Sequence, residues 1–420
     1  MLGIVFAGQG SQVASMGTAL CRRYREAQAV FEEADATLEW SVSEFCSAPD
    51  EAALSQTRFT QAAILTVEIA LLRTLQARHA LPVAFLAGHS VGEYSALVAA
   101  GALSFADALR LVDRRGVLMD DACDPSLGMV AVSGLSASMV LAVHARLVAA
   151  DANIDIACHN GPEQVVLAGP VTDLERIEDP LTLLGARLTR LKVSGAFHSR
   201  ALHDCSEALR PLLAAASWQK ARLPVIANVT ARPYPREREE ALELLARQVC
   251  DTVRWTSSMR FMAMNGVTHV VEIGPSSVLA RTLRSTVPSL YVTPFCDVDD
   301  LQTVEDFIRP LRPAAISNAF IGRCLAHVAA TRTLRQPDEH FEARCQVPYR
   351  AVLERWQVTR DQGTMPSLED LGEAVSLFEN VLAAKGASSA EVQERREELT
   401  WFDRHGILTS QFPQNGPDQA

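Results

Sequence analysis

The sequence predicts an α/β protein: a parallel sheet with a sharp strand-to-helix turn, a small βαββαβ unit inserted into it, and a helical C-terminal extension. Three observations carry that expectation. Two short apolar runs, Leu2 to Phe6 and Val83 to Ala87, each stop close to a glycine, as strands buried on both faces do. Between about Gly128 and Val193 the rhythm becomes strand, helix, strand, strand, helix, strand. From about residue 297 the alternation ends and helical spacing dominates.

The first run leads into Gly8-Gln9-Gly10-Ser11-Gln12, a buried strand followed by a tight turn. Ala62 to Leu75 is apolar at helical spacing, and the strand from Val83 stops at Gly88, just ahead of the helix-forming stretch Glu93 to Val98. The inserted unit reads as a strand (Met129 to Val132), a helix (Ser136 to Ala149) and two strands around Asn160-Gly161-Pro162-Glu163. A helix near Thr172 and a strand from Arg187 to Val193 complete it. That order is the ferredoxin-like split unit. Strands near Pro224 to Asn228 and His269 to Ile273 then resume the larger sheet.

The expected organisation is a large subdomain of residues 1–126 and 195–296, a small subdomain of residues 127–194, and an extension of residues 297–420. In the extension, Ser367-Leu368-Glu369-Asp370 is a capping box with Asp at its third position. Leu368, Leu371, Val375, Phe378 and Leu382 follow as one apolar stripe before Lys385-Gly386, and Ser388-Ser389-Ala390-Glu391 opens another helix. These stripes are expected to pack against the body of the protein.

Composition excludes several classes. The 420 residues are 48% hydrophobic and 21% charged, enough for two or three compact units with large cores. No apolar run approaches the roughly 18 to 20 residues of a membrane helix, so no membrane span is expected. The start, Met1-Leu2-Gly3-Ile4, lacks a positive n-region and reads as a core strand rather than a signal peptide. Nine scattered cysteines without a Cys-x-x-Cys pair argue against a disulfide framework or a metal site, and for a reducing cytoplasm. A net charge of −11 disfavours nucleic acid as a partner.

The chemistry centres on Gly88-His89-Ser90-Val91-Gly92, a Gly-x-Ser-x-Gly elbow set between an apolar strand and a helix-forming stretch. Such an elbow pushes Ser90 out as a nucleophile and makes the large subdomain hydrolase-like. The following helix start brings backbone N–H groups near a developing oxyanion. A serine hydroxyl needs a base. Of ten histidines, His198 in Ser194-Gly195-Ala196-Phe197-His198-Ser199 is favoured, because it follows the last strand of the inserted unit among small residues. His79, His144, His203, His269 and His327 are assigned to helices or surface turns, as are His340 and His405, while His89 and His159 stay intermediate. No Asp or Glu announces itself as a third member, which favours a Ser-His dyad oriented by a backbone carbonyl. By itself the elbow implies a serine hydrolase or transferase.

Five motifs in order sharpen this: Phe6-Ala7-Gly8-Gln9-Gly10-Ser11-Gln12, Gly88-His89-Ser90-Val91-Gly92-Glu93-Tyr94-Ser95-Ala96-Leu97, Arg115-Gly116-x-x-Met119, Gly195-Ala196-Phe197-His198-Ser199 and Glu272-Ile273-Gly274-Pro275. Together, over residues 1 to about 285, they resemble the malonyl-CoA:acyl carrier protein transacylase family. The resemblance implies malonyl transfer through a Ser90 acyl-enzyme in a ping-pong cycle, with His198 as base and then acid. It implies an oxyanion hole from the N–H groups of Gln9 and Val91, and a Gln248 carbonyl holding the histidine. Arg115 would bind the free carboxylate of malonate. Phe197 would favour malonyl over methylmalonyl units, and His89, Met119 and Asn160 would line the same pocket.

The implied donor is malonyl-CoA and the implied partner an acyl carrier protein bearing phosphopantetheine, with no bound cofactor and a monomeric enzyme. Carrier proteins are usually acidic, so a docking site must be a local basic patch whose arginines the sequence does not single out. Two residues depart from the family pattern: Ala7 replaces a proline, which should loosen the turn, and Asp120 replaces glutamine, which should weaken the hold of Arg115 on malonate. Asn318-Ala319-Phe320-Ile321-Gly322-Arg323-Cys324-Leu325-Ala326 and Val347-Pro348-Tyr349-Arg350 resemble the extension of stand-alone enzymes that serve trans-acyltransferase polyketide synthases. The alternatives are an acyl hydrolase that clears stalled chains from carriers and, without catalysis, a docking scaffold.

Overall fold

The computed structural model describes residues 1–47, 54, 56–79, 81–193, 195–308, 311, 313–331 and 341–400. Ser194, His340 and His405 lie outside the described residues. One compact unit spans Leu2–Phe307 and a second begins at Ile308.

In the first unit β1 (Leu2–Phe6) leads through α1 (Thr18–Arg23), α2 (Arg25–Thr37) and α3 (Val42–Ser47) to the long α4 (Thr57–Gln76). Next, β2 (Val83–Gly88) turns into α5 (Gly92–Ala99), followed by α6 (Phe105–Asp121). The inserted unit comprises β3 (Leu127–Ser133), α7 (Ala137–Val148), β4 (Asp155–Gly161), β5 (Gln164–Pro170), α8 (Val171–Leu183) and β6 (Arg187–Arg190). Returning to the larger sheet, the chain forms α9 (His203–Ala215), β7 (Val225–Ile226), α10 (Arg238–Arg247) and α11 (Trp255–Met264). It ends with β8 (His269–Ile273), α12 (Ala280–Thr286), β9 (Tyr291–Phe295) and α13 (Leu301–Ile308).

The large sheet has strand order β7-β2-β1-β8-β9 and every pairing is parallel. All five residues of β1 and all six of β2 are buried, which is why these strands read as unbroken apolar runs. Phe6 pairs with both Gly88 and Ile273, so β1, β2 and β8 end level. The turns that leave them are therefore neighbours at the carboxyl edge, where open α/β sheets place their sites. The small sheet is antiparallel with order β4-β5-β3-β6, the ferredoxin-like arrangement. Its own core is built from residues such as Val130, Val132, Ile154, Leu167, Leu174 and Ile177.

Some expectations change. Strand β9 is not expected from the sequence, because Pro294 interrupts it; at a sheet edge, paired only with β8 among the described strands, a proline costs no ladder bond. At the opposite edge, β7 shrinks to two residues, paired with Leu86 and Ala87. On the edge of the small sheet, β6 stops at Arg190 rather than Val193. His269 opens β8 instead of lying in a helix or turn.

The second unit contains α14 (Pro313–Ala330), α15 (Val347–Gln362), α16 (Leu368–Lys385) and α17 (Ser389–Thr400). Ser367 and Asp370 cap α16 reciprocally, and Gly386 ends it in the left-handed conformation. The stripe on α16 is buried in this unit's own core, where Leu371, Phe378 and Leu382 are at 0% exposure. Leu368 departs from the stripe at 63% exposure, because it is the first helical residue, ahead of the buried run. Asn318 donates to the Thr364 carbonyl (2.8 Å) and accepts from the Thr359 hydroxyl (2.8 Å), while its own carbonyl accepts from Trp356 Nε1 (2.7 Å). A Cβ on Gly322 would stand 2.9 Å from the Trp356 ring. The Asn-x-x-x-Gly spacing in α14 thus seats that tryptophan.

Among the described residues no helix is long and apolar enough to cross a membrane. Nor do three His, Cys, Asp or Glu side chains gather there as a metal site.

Candidate active site

The elbow between β2 and α5 is forced by close backbone approach. A Cβ on Gly88 would lie 1.9 Å from the Gly92 carbonyl, and one on Gly92 would lie 2.2 Å from the Ala7 carbonyl oxygen. Only glycine fits either place. Between them Ser90 takes φ 53°, a left-handed conformation that a non-glycine residue holds only where its surroundings enforce it. The turn after β1 presses on the elbow as well: His89 N–H donates to the Phe6 carbonyl (2.9 Å), and a Cβ on Gly8 would meet the His89 carbonyl oxygen at 2.6 Å. Among the described residues the backbone N–H groups of Gln9 and Val91 donate to no partner. The side chain of Gln9 is anchored to Thr57 Oγ1 at 3.1 Å.

Ser90 Oγ lies 2.7 Å from His198 Nε2, and His198 Nδ1 lies 2.7 Å from the Gln248 carbonyl oxygen. A carbonyl only accepts, so Nδ1 carries the ring proton and Nε2 is left as the acceptor for the serine hydroxyl. His198 also adopts a left-handed φ of 56°, held by its N–H bond to the Val249 carbonyl (2.9 Å). Burial, and then the charge of Arg115, push its pKa down to about 3.

Arg115 is 1% exposed. Gly116 lets α6 approach the start of α4, since a Cβ there would be 2.8 Å from the Arg58 carbonyl oxygen; this brings Arg115 to Gln61. Its Nη1 donates to Gln61 Oε1, and its Nη2 to Gln248 Oε1 (2.9 Å) and to Ser90 Oγ (3.1 Å). All three partners are neutral. Arg115 Nε has no partner among the described residues. Burial lowers the Arg115 pKa while charge on Tyr94, Cys205 and Glu93 opposes that shift. Asp120, five residues further along α6, instead raises the Cys123 thiol, after burial.

Three residues given no role from sequence complete the setting. Asn228 Oδ1 accepts from Ser90 N–H (2.8 Å), and its Nδ2 donates to the Gly88 carbonyl (2.6 Å). Glu93, wholly buried, accepts from Tyr234 OH (2.5 Å), Gln248 Nε2 (3.1 Å) and Asn228 N–H (3.2 Å). Burial dominates over those bonds and pushes its pKa up to about 7. Gln248 Nε2 also donates to the Ser90 carbonyl at 2.5 Å. Only Glu93 gave a signal, by following the elbow; Asn228 and Gln61 sit in segments without a motif.

His89 Nε2 lies 2.8 Å from Asn160 Oδ1, a link from the small sheet to the elbow, and its ring meets Trp255 edge-on at 5.4 Å. Met119 is buried, with its sulfur accepting from Gln61 Nε2 (3.4 Å). Phe197 is buried beside His198, its ring 2.8 Å from where a Cβ on Gly195 would stand. Ala7 N–H donates to the Ile273 carbonyl at 3.0 Å, a bond that a proline could not make. In the last motif, Glu272 accepts from the N–H groups of Val278, Leu279 and Ala280 at 2.7 to 2.8 Å, so it anchors the start of α12.

The family model described as Acyl transferase domain matches residues 4–313. A malonyl CoA-acyl carrier protein transacylase of Bacillus subtilis is 34% identical over 306 residues, covering 73% of this chain and 76% of that protein. The polyketide biosynthesis malonyl CoA-acyl carrier protein transacylase BaeC of Bacillus velezensis is 38% identical over 290 residues, covering 68% of this chain and 96% of that protein. Among solved structures, a malonyl-transacylase in complex with its type II polyketide synthase acyl carrier protein is similar at TM-score 0.69 and 31% identity, covering 73% of this chain and 99% of that one.

Proposed function

Because the chain belongs to the acyl transferase family, we propose that it moves the malonyl group of malonyl-CoA onto the phosphopantetheine thiol of an acyl carrier protein, in trans, during polyketide assembly. The observation that carries the choice of acyl group is Arg115: a buried guanidinium whose hydrogen-bond partners are all neutral and whose Nε donates to nothing among the described residues. A buried cation without a hydrogen-bonded counter-ion is costly. A carboxylate supplied by the substrate removes that cost, and the guanidinium fork suits it in bidentate fashion. In a malonyl-Ser90 ester the free carboxylate is joined through one methylene to the carbonyl carbon on Oγ. A guanidinium 3.1 Å from Oγ is within its reach.

Ser90 Oγ attacks the thioester carbonyl and gives its proton to His198 Nε2. The N–H groups of Gln9 and Val91, otherwise unspent, receive the oxyanion. Collapse breaks the carbon–sulfur bond, and His198 returns the proton to the leaving CoA sulfur. In the second half, His198 takes the proton of the phosphopantetheine thiol, the sulfur attacks the Ser90 ester, and the serine leaves with that proton. The Gln248 carbonyl keeps His198 in the tautomer both halves need. Asn228 and Glu93 hold the elbow, and Phe197 crowds the place an α-methyl group would occupy. Beside His89, Met119 and Asn160, these complete the substrate pocket.

Incubation of the purified protein with malonyl-CoA is expected to add one malonyl mass to the Ser90 peptide. A phosphopantetheinylated carrier should then remove that mass and gain it. Rapid release of malonate to water, or faster hydrolysis of an acetyl-loaded carrier, would instead indicate a hydrolase.

The dyad has a further consequence for pH. A histidine of ordinary pKa, about 6.5, would lose its base form on mild acidification. His198, pushed down to about 3 by burial and Arg115, stays neutral, so single-turnover acylation of Ser90 should be flat from pH 8 to about pH 5. Acylation rates by rapid quench across that range check this. A half-maximal point near pH 6.5 would contradict the assigned environment.

A further inference from the structure

Resting on that acyl-transfer reading, we propose that Arg254 and Arg260, at the start and in the middle of the helix α11 that packs against His159, form the surface on which the acidic acyl carrier protein docks. The patch is built by the junction of β4 and α11. Val253 N–H donates to the Ala157 carbonyl (2.9 Å), His159 N–H donates to the Val253 carbonyl (2.9 Å), and Thr256 Oγ1 donates to the His159 carbonyl (3.1 Å). These bonds pin His159 against the first turn of α11, whose N-cap is Arg254.

Both arginines are exposed, and neither side chain has an ion pair or hydrogen bond among the described residues. Arg200, Arg210 and Arg247 on the same unit are instead held by Asp155, Glu243 and Asp251. Burial, then the charge of Arg260 and of Arg254, lowers the pKa of His159, against the opposing pull of a backbone hydrogen bond at Gly161. The positive end of the α11 dipole adds potential of the same sign.

The patch adjoins the nucleophile on two sides. Arg254 N–H donates to the carbonyl of Asn228 (2.9 Å), the residue whose side chain holds Ser90 N–H. Trp255, next along, meets the His89 ring, and Asn160, next to His159, bonds His89. A chain of net charge −11 repels an acidic partner over most of its surface. An uncompensated basic patch beside the elbow is where such a partner can be drawn in and its arm aimed at Ser90.

The test compares wild type with Arg254→Glu/Arg260→Glu in three reactions: acylation by malonyl-CoA, transfer of malonyl to free pantetheine, and transfer to a phosphopantetheinylated acyl carrier protein of net negative charge. The expected result is a rise in carrier KM of about tenfold or more, with a shallower salt dependence. Acylation and transfer to pantetheine should stay within roughly twofold, because rim charges act on the encounter with the carrier. Arg260→Glu alone, which leaves the N-cap of α11 intact, should show part of the same rise and guards against a folding defect in the double variant.

Equal carrier KM in wild type and both variants overturns the docking surface while leaving the acyl-transfer reading intact. A rise in the KM for malonyl-CoA in place of the carrier also overturns it, assigning the patch to CoA phosphates. A wild-type enzyme that acquires no malonyl on Ser90 overturns the reading and the surface together.

Discussion

Ser90→Ala will abolish the malonyl mass increment and lower malonyl transfer to a carrier by at least about 10³-fold, the scale on which nucleophile deletions act in serine enzymes. The expectation follows from geometry. His198 Nε2, 2.7 Å from Oγ, is fixed as a proton acceptor by its other nitrogen, and Arg115 donates to the same oxygen. Removing Oγ removes the atom on which those two groups converge, and the neighbouring chain offers no second nucleophile: position 89 is a histidine bonded to Asn160 and position 91 a valine. The variant should stay folded, since among the described residues Ser90 Oγ bonds only to His198 and Arg115, whereas the bonds that hold the elbow run through backbone and Asn228. Intact-protein mass spectrometry after exposure to malonyl-CoA, with thermal unfolding as a control, checks both parts. Residual stoichiometric labelling of the alanine variant would place the acyl-enzyme elsewhere.

Arg115→Ala will lower malonyl transfer by about 10²- to 10³-fold, the equivalent of losing one or two hydrogen bonds to a charged group, and acetyl transfer by far less. Some loss for acetyl is built in. Arg115 also donates to Ser90 Oγ and orders Gln248, so the dyad is disturbed for every substrate. The decisive readout is therefore the malonyl-to-acetyl ratio of kcat/KM, not either rate. A ratio unchanged from wild type would mean that the guanidinium organises the dyad without touching the acyl group. The same variant should move the acid limb of acylation to higher pH, because the charge of Arg115 is the second cause of the low His198 pKa.

Much of this was legible in the chain. Fully buried parallel strands write themselves as unbroken apolar runs, so β1 and β2 could be read directly, and the elbow glycines follow from sterics that admit no other residue. The rhythm of the small sheet was equally plain, because each of its strands and helices keeps one face on a shared core. Short edge strands were not: β7 has only two residues and β9 contains a proline, and neither carries a period. Leu368 shows the limit of periodicity, since spacing assigns a residue to a face but does not say where along a helix its packing begins.

What the sequence by itself determined about this protein is local: the elbow, the strand ahead of it, and the motifs that tie Ser90, Arg115 and His198 to one family. Tertiary structure alone decided which distant groups complete the site. Gln61 and Asn228, from a helix and a loop 167 positions apart, carry no motif and reach Arg115 and Ser90 through the close approach of α4 and α6 and the return of the chain beside β2, while the side chain of Gln248, of which the sequence leads one to expect only the backbone carbonyl, bridges Arg115 and Glu93. Hydrogen bonds need partners within about 3 Å, and no spacing along the chain encodes a distance of that kind. The same holds for Arg115, which among the described residues hydrogen-bonds to no carboxylate; that feature, which points to a carboxylated substrate, is a property of its surroundings and not of its residue type.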